Sequence, residues 1–420
     1  VVKLLLIFLV LAAMDVIWWR SAELRLRRWR KSLPWRLLLG LFMLAQIGYL
    51  LELILAEFVY RLPAAGPVGL AVVIYIWHVL GLPLGLSFFA VGWLARKWQL
   101  RKPTVDAVSS ASVPDLKDSD TRFTRRDLLG AAASAIPPLF AIAASRKGFE
   151  QMGEFRIRRV TLSLAQLPPD LHGLTIAHVT DLHIGRFMPL ELTGPIANAI
   201  NGLSCDLIAF TGDLLDASCV DVRPGIDFMR RLNPRHGLVM IEGNHDVNFN
   251  ADLFEGEMKS ARLPLLLDES MTFSIPGRAT PVQFLGISWG ELITGKQLQK
   301  VGKARNHFFR EPSDSARADS VQRVKSLRDP GAFPILLAHH PHAFDPAAAA
   351  GFPLVLSGHT HGGQLMLTRN IGAGPIRFRY WTGLYEKPNS QLFISNGIGS
   401  WFPLRVNAPA EIVHLTLAKA

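Results

Sequence analysis

Cysteine is nearly absent from this chain: two occur in 420 residues, Cys205 and Cys219. One pair cannot supply a disulfide framework, and it leaves the redox compartment open. No internal repeat and no heptad pattern occurs, which sets aside solenoids and coiled coils. Charge is also sparse, at 19% of residues, and acid is scarcer than base: 34 Asp and Glu against 45 Lys and Arg, a formal net charge of +11. Such an excess can mark a nucleic-acid partner. Here much of it flanks apolar segments, where membrane topology and anionic lipid account for it. No nucleic-acid partner is expected.

What the chain has in quantity is apolar residues, 49% of the total, concentrated in its first hundred positions. The chain opens on Val1 rather than Met, so a few further residues are expected ahead of it. Residues 1–95 are read as three membrane-spanning helices, since about 20 apolar residues cross a bilayer. Val1 to Trp19 is the first span. Its basic cluster, Arg20 to Arg36 with Glu23 as the one acid, follows the apolar run, which is the wrong flank for a signal peptide. The second span runs from Trp35 to Tyr60, and the third from Val68 to Leu94 with a kink expected at Pro83. Residues 96–126 are polar and mixed in charge and read as a basic cytoplasmic linker.

Residues 127–146 form a weaker apolar segment interrupted by Pro137-Pro138 and preceded by Arg125-Arg126. It resembles a twin-arginine export signal with an A-x-A site at Ala141-Ile142-Ala143, or else it is a fourth span. Basic loops face the cytoplasm, so the first span should run inward, the second outward and the third inward again. A fourth crossing would place everything after it outside the cytoplasmic membrane. The expected location is therefore a bacterial cytoplasmic membrane, with several spans and an extracytoplasmic globular domain.

That domain is expected over residues 154–420. Strand-like runs lie at 155–162, 174–179, 207–210, 237–241, 282–287, 333–338, 353–356, 392–395 and 411–417. Helical patterns intervene at 189–201, 225–232, 251–263 and 315–327. Strands alternating with helices make an α/β fold with packed sheets covered by helices.

The chemistry sits just beyond those strands. Asp181-Leu182-His183 and His359-Thr360-His361 are each an i, i+2 pair leaving an apolar run, so both side chains project to one side. Between them stand Gly212-Asp213, Gly243-Asn244-His245-Asp246 and Ala338-His339-His340-Pro341. Asp181, His183, Asp213, Asn244, His339, His359 and His361 offer oxygen and nitrogen donors without thiolate, a set suited to two divalent ions such as Mn, Fe, Zn or Co. His245 is a candidate acid, and Asp246 a support for His245 or its loop. His178 reads as a core histidine, and His340 and His342 as surface or supporting groups. Arg377, Arg379 and Trp381, in a basic-aromatic loop, are candidate contacts for an acidic, amphiphilic substrate.

These five blocks, in this order, resemble those of the calcineurin-like metallophosphoesterases, over roughly residues 156–417. The Gly-His-Thr-His-Gly-Gly-Gln form, preceded by Ala-His-His-Pro, is similar to a bacterial branch of membrane-attached or twin-arginine-exported members. A transmembrane relative of this architecture occurs in animals. The resemblance implies a four-layer sandwich, two packed mixed β-sheets flanked by helices. It further implies one metal on Asp181, His183 and His361, a second on Asn244, His339 and His359, and Asp213 bridging them. A metal-activated hydroxide would attack phosphorus, with His245 protonating the leaving group. The expected substrate is a phosphoester, lipid-linked or part of the envelope. Related members cleave the pyrophosphate of UDP-diacylglucosamine in lipid A synthesis, which is the alternative. A catalytically idle metal-binding sensor is the alternative of another class. Oligomeric state is left open.

Overall fold

A computed structural model of the chain describes residues 2–27, 32–56, 66–99, 125–216, 222–248, 250–289 and 312–420. It divides into two compact units, Val1–Tyr60 with Ala64–Phe149, and Glu150–Ala420 with the short Arg61–Pro63.

The first unit is helical: α1 (Val2–Leu26), α2 (Leu33–Ile54), α3 (Val68–Ile76), α4 (Leu82–Gln99) and α5 (Arg125–Gln151). Among the described residues, three stretches are long and apolar enough to cross a membrane: Leu5–Leu26, Leu33–Ile54 and Val68–Leu94. Leu37, Leu38, Leu41 and Leu44 on α2 are all exposed, an apolar surface that water penalises and lipid does not. The far end of the expected second span, 57–60, and the expected linker over 100–124 lie outside the described residues. Between α3 and α4 the helix widens into a π-helical turn, Trp77–Gly81, just ahead of Pro83. Proline removes a hydrogen bond and crowds the carbonyl four residues back, and a wider turn relieves both. That turn also aims two side chains at Asp15, which is fully buried. Asp15 accepts from Trp77 Nε1 (2.8 Å) and Gln46 Nε2 (3.1 Å), and its other oxygen is 3.0 Å from His78 Nε2. This polar knot ties α1, α2 and the π turn together, as an ionisable residue in a helix bundle requires. Helix α5 continues through Pro137-Pro138, the interruption in the apolar segment.

The second unit is built on two mixed sheets. The first has the order β1-β13-β2-β3-β4: β1 (Arg156–Leu164), β2 (Thr175–Val179), β3 (Leu207–Thr211), β4 (Gly237–Ile241) and β13 (Glu411–Lys419). β13 runs parallel to β1 and antiparallel to β2. The second has the order β11-β12-β8-β7-β6-β5: β5 (Glu269–Phe273), β6 (Val282–Gly286), β7 (Phe333–Leu337), β8 (Leu354–Ser357), β11 (Gly383–Lys387) and β12 (Ser390–Ile394). A small hairpin, β9 (Met366–Thr368) and β10 (Ile371–Gly372), stands apart.

Side chains of both sheets meet in one core, with Ile176, Val239 and Leu415 of the first against Phe284, Ile335 and Phe393 of the second. The outer face of the first sheet packs on α6 (Leu190–Gly202), α7 (Val222–Arg231) and α9 (Ala251–Ser260), beyond the one-turn α8 (Asn244–Val247). The second sheet's outer face packs on α10 (Asp314–Lys325) and α11 (Phe344–Ala349); a short α12 (Ala373–Arg377) follows the hairpin. The result is helix, sheet, sheet, helix. Strands such as β3 and β7 are buried at every residue, which is why they read as unbroken apolar runs rather than alternating ones.

Candidate metal centre

Every expected metal ligand leaves the C-terminal end of a parallel strand. β2 delivers Asp181 and His183, β3 delivers Asp213, β4 delivers Asn244 and His245, β7 delivers His339, and β8 delivers His359 and His361. The ladders continue past the strands: Asp181 N donates to Gly212 O (2.9 Å), His183 N to Asp213 O (3.1 Å) and Gly358 N to His339 O (3.1 Å). The loops are therefore fixed in register with the sheets that carry them.

Their backbone is strained. Asp181, His183, Asp213, His359 and His361 all have φ between 48° and 71°. Non-glycine residues seldom occupy that region, and each costs of order 1–3 kcal/mol to hold there. Five such residues converging on one point mark it as a place where geometry outranks stability.

Three overlapping groups result, each with one donor atom per residue and all donors within 4.8 Å of one another: Asp181, His183 and His361; His183, Asp213 and His245; Asp213, His339 and His359. Asp213 belongs to two of them. Its Oδ2 is 3.1 Å from His339 Nε2 and 3.6 Å from His183 Nε2, while its Oδ1 accepts from His245 N (2.9 Å). On the other side, His361 Nε2 is 3.3 Å from Asp181 Oδ1 and 3.0 Å from His183 Nε2. Asn244 joins through its side-chain oxygen, 2.8 Å from His359 Nδ1. Imidazole nitrogens turned toward one another beside two buried carboxylates repel unless a proton or a cation lies between them. This donor set fits divalent cations.

The charges confirm that tension. Burial alone would raise Asp181, but His361, His183 and His339 hold its carboxyl well below the usual range. Asp213 is likewise depressed despite burial, chiefly by His339 and His245. Burial pulls His183 and His339 down, yet the carboxylates around them win and raise them to about 10 and about 9.

Supporting contacts complete the site. Asp181 is clamped by His359 N (3.0 and 3.1 Å) and by Thr180 Oγ1 (2.6 Å). Asp246 accepts from Gly243 N (2.9 Å) and Leu215 N (3.0 Å), so it fastens the His245 loop rather than touching His245. Burial, with the Asp213 charge, pushes its carboxyl up to about 7. His245 Nδ1 lies 3.3 Å from Asp216 Oδ1 and 3.1 Å from its backbone oxygen. Burial and His183 oppose its protonation, and Asp213 and Asp216 outweigh them, so its pKa is raised.

The structure also separates some expected residues. His178 is a core histidine, bonded through Nε2 to Thr211 Oγ1 (2.9 Å). His340 is not a surface group: it is buried, with its ring 4.7 Å from that of His359 and its Nδ1 accepting from His342 N. Arg379 is paired with Asp345, and Trp381 donates its indole N–H to Arg369 O (3.3 Å). The first ties the loop to α11 and the second closes the loop on itself. Arg377 lies over the Phe378 ring at 5.6 Å.

Two residues escaped the sequence reading. Trp289 stands 5.4 Å from the His339 ring and 5.1 Å from that of His359. Arg405 is buried, with Nη2 2.9 Å from His361 Nδ1, and donates to the carbonyls of Asn396, Ala408 and Gly399. Neither has a motif; a lone arginine in an otherwise apolar run between two strands is the one hint Arg405 left.

Comparison with known proteins follows the same lines. Residues 174–363 match the calcineurin-like phosphoesterase family. An uncharacterized metallophosphoesterase of Helicobacter pylori is 25% identical over 64% of this chain and 65% of its own. A transmembrane protein with metallophosphoesterase domain from Danio rerio is 26% identical over 62% of this chain and 57% of its own. Phosphodiesterase YaeI of Escherichia coli is 28% identical over 70% of this chain and 99% of its own. The chain thus spans slightly less than two thirds of the Helicobacter relative's length.

Proposed function

From the premise that this chain carries a calcineurin-like metallophosphoesterase domain, we propose a membrane-held phosphoesterase working with two divalent ions. The observation that carries this reading is Asp213, a buried carboxylate shared between two groups of candidate donors. Asp181, His183 and His361 would hold one ion, Asn244, His339 and His359 the other, with Asp213 serving both. Bound there, such ions neutralise phosphate oxygens and lower the pKa of a coordinated water.

The chain's own residues do the rest. The neutral amide of Asn244 keeps the site from becoming too anionic to admit a phosphate. His245, with its pKa raised and with Asp216 behind it, is placed to give a proton to a leaving alkoxide. Arg377 is a candidate contact for an acidic head group. All seven candidate ligand residues are present and converge on one site, which favours hydrolysis over an idle sensor.

The substrate we favour is a lipid-linked or envelope phosphoester. A tether raises the effective concentration of anything in the same membrane, and three helices here suit one. With α5 as a fourth crossing, the domain would face outward. With α5 at the interface it would face the cytosol, and UDP-diacylglucosamine would be the better candidate.

The test uses the full chain. Metal content and turnover are measured together, on a generic phosphodiester and on candidate envelope lipids. Asp213→Asn should lose metal and activity together. His245→Ala should keep metal and lose about 10²–10⁴ in rate. Undiminished activity in Asp213→Asn rejects the site.

A further inference from the structure

Between Gly362 and Tyr385 the chain carries three arginines and no acid. Within this run three large apolar side chains project into solvent: Leu367 at 75% exposure, Ile371 at 58% and Ile376 at 86%. They sit on the β9–β10 hairpin and α12, directly after His361.

Their exposure is not that of a loose loop. Met366, between the site and Leu367, is buried. Asn407 Nδ2 donates to Met366 O (2.9 Å) and Leu367 O (3.1 Å), and Ala373 N donates to Leu365 O (3.0 Å). Trp381 reaches back to Arg369 O, and Thr360 Oγ1, between His359 and His361, donates to Trp381 O (2.6 Å). The backbone is pinned to the site loop while Leu367, Ile371 and Ile376 stand exposed on it. Such a set of exposed side chains on a rigid element needs a partner.

We propose that this hairpin, with α12, is a docking surface for an anionic lipid bilayer, on which it seats the mouth of the site. Two observations select lipid among apolar partners. Arg369 and Arg377 flank the exposed side chains in a sequence run, Gly362 to Tyr385, that contains no Asp or Glu, the pairing of apolar tips with basic flanks that suits the head-group boundary. Among the described residues the same chain carries three helices long and apolar enough to cross a membrane, so this element belongs to a chain with its own means of attachment to lipid. The surface is independent of the hydrolytic reading, and its test uses no substrate.

Full-length protein with Cys219→Ser and Ile376→Cys, labelled at position 376 with an environment-sensitive fluorophore, is reconstituted into vesicles. One set is phosphatidylcholine alone; the other contains about a third phosphatidylglycerol. Cys205 is buried, and Lys259→Cys on α9 supplies a control position. In the anionic vesicles, the label at 376 should shift to the blue and be quenched by nitroxide-bearing lipid at least twofold more than the label at 259. Arg369→Gln with Arg377→Gln should abolish that difference. A label at 376 that stays water-exposed in both vesicles overturns the proposal. So does one shielded without lipid quenching and only as protein density rises, which would make a second copy the partner.

Discussion

Gly243 offers a perturbation that touches the candidate metal centre through space alone. Its backbone is extended, with φ −118° and ψ −176°, so an alanine there pays no torsional cost. A Cβ at that position would lie 2.2 Å from Asp213 Oδ1, 2.5 Å from Asp213 N and 2.8 Å from Asp213 Cγ. Comfortable carbon contacts begin near 3.5 Å, so something must move by about an ångström. Asp213 cannot retreat freely, because Oδ1 is held by His245 N and Oδ2 faces His339. Overpacking of this kind costs about 1–3 kcal/mol, and the displaced carboxylate is the one shared by two donor groups. Gly243→Ala should therefore lower both the urea midpoint of the full chain and its metal content, to below one ion per chain.

Two other glycines separate these effects. Gly277, at φ +78° with nothing within 4 Å of an added Cβ, should lose about 1 kcal/mol on change to Ala and keep its metal. Gly256, inside α9 with the same open space, should gain about 0.5–1 kcal/mol. Unfolding curves and elemental analysis on the three variants decide the matter. A Gly243→Ala protein with unchanged midpoint and full metal would refute the claim that Asp213 is sterically locked at the centre.

Further outcomes follow from the same geometry. His339→Ala should lose metal, whereas His340→Ala, whose ring is packed against those of His359 and Trp289, should lose stability first; the reverse ranking in metal content would mean the register past β7 is off by one. In ion-free protein, His183 at about 10 and His339 at about 9 stand above an ordinary imidazole near 6.5, so their stabilisation is complete below pH 6.5 and is lost as pH rises through 9 to 10. Chelated protein should show its urea midpoint falling across that window, and a midpoint that rises would contradict it. Asp216→Asn removes a charge that raises His245, so the alkaline limb of the pH–rate profile should move to lower pH while metal content holds; an unmoved limb would detach His245 from proton transfer.

How much of this was legible in advance depended on what each level of structure writes into the chain. The strands that carry the site are largely buried, so β2, β3, β4, β7 and β8 are short apolar runs followed within two residues by Gly, Asp or His, and they read directly. β5 did not: Glu-Ser-Met-Thr-Phe is a sheet-edge strand, half exposed, with too few apolar residues to stand out from a loop. β11 is the opposite edge and was missed for the same reason. At the site, residues linked by local spacing were visible, because a period of two tells which side chains share a side. What stayed hidden is what only tertiary closure creates. Arg405 lies 44 positions from His361 and has no spacing to betray it. Asp15 stands alone within an apolar run, and only the π turn brings Trp77 and His78 to it. Least legible of all was the strain, since nothing in Asp-x-His or His-x-His announces a left-handed backbone at both ends of each motif. Yet that strain explains why the motifs are bracketed by residues such as Gly212, Gly243 and Gly358. An added Cβ at any of them would meet a site atom or the backbone beside it within 2.6 Å. The glycines leave room for neighbours forced into unusual conformations, and that room is what lets five strand ends meet at one point.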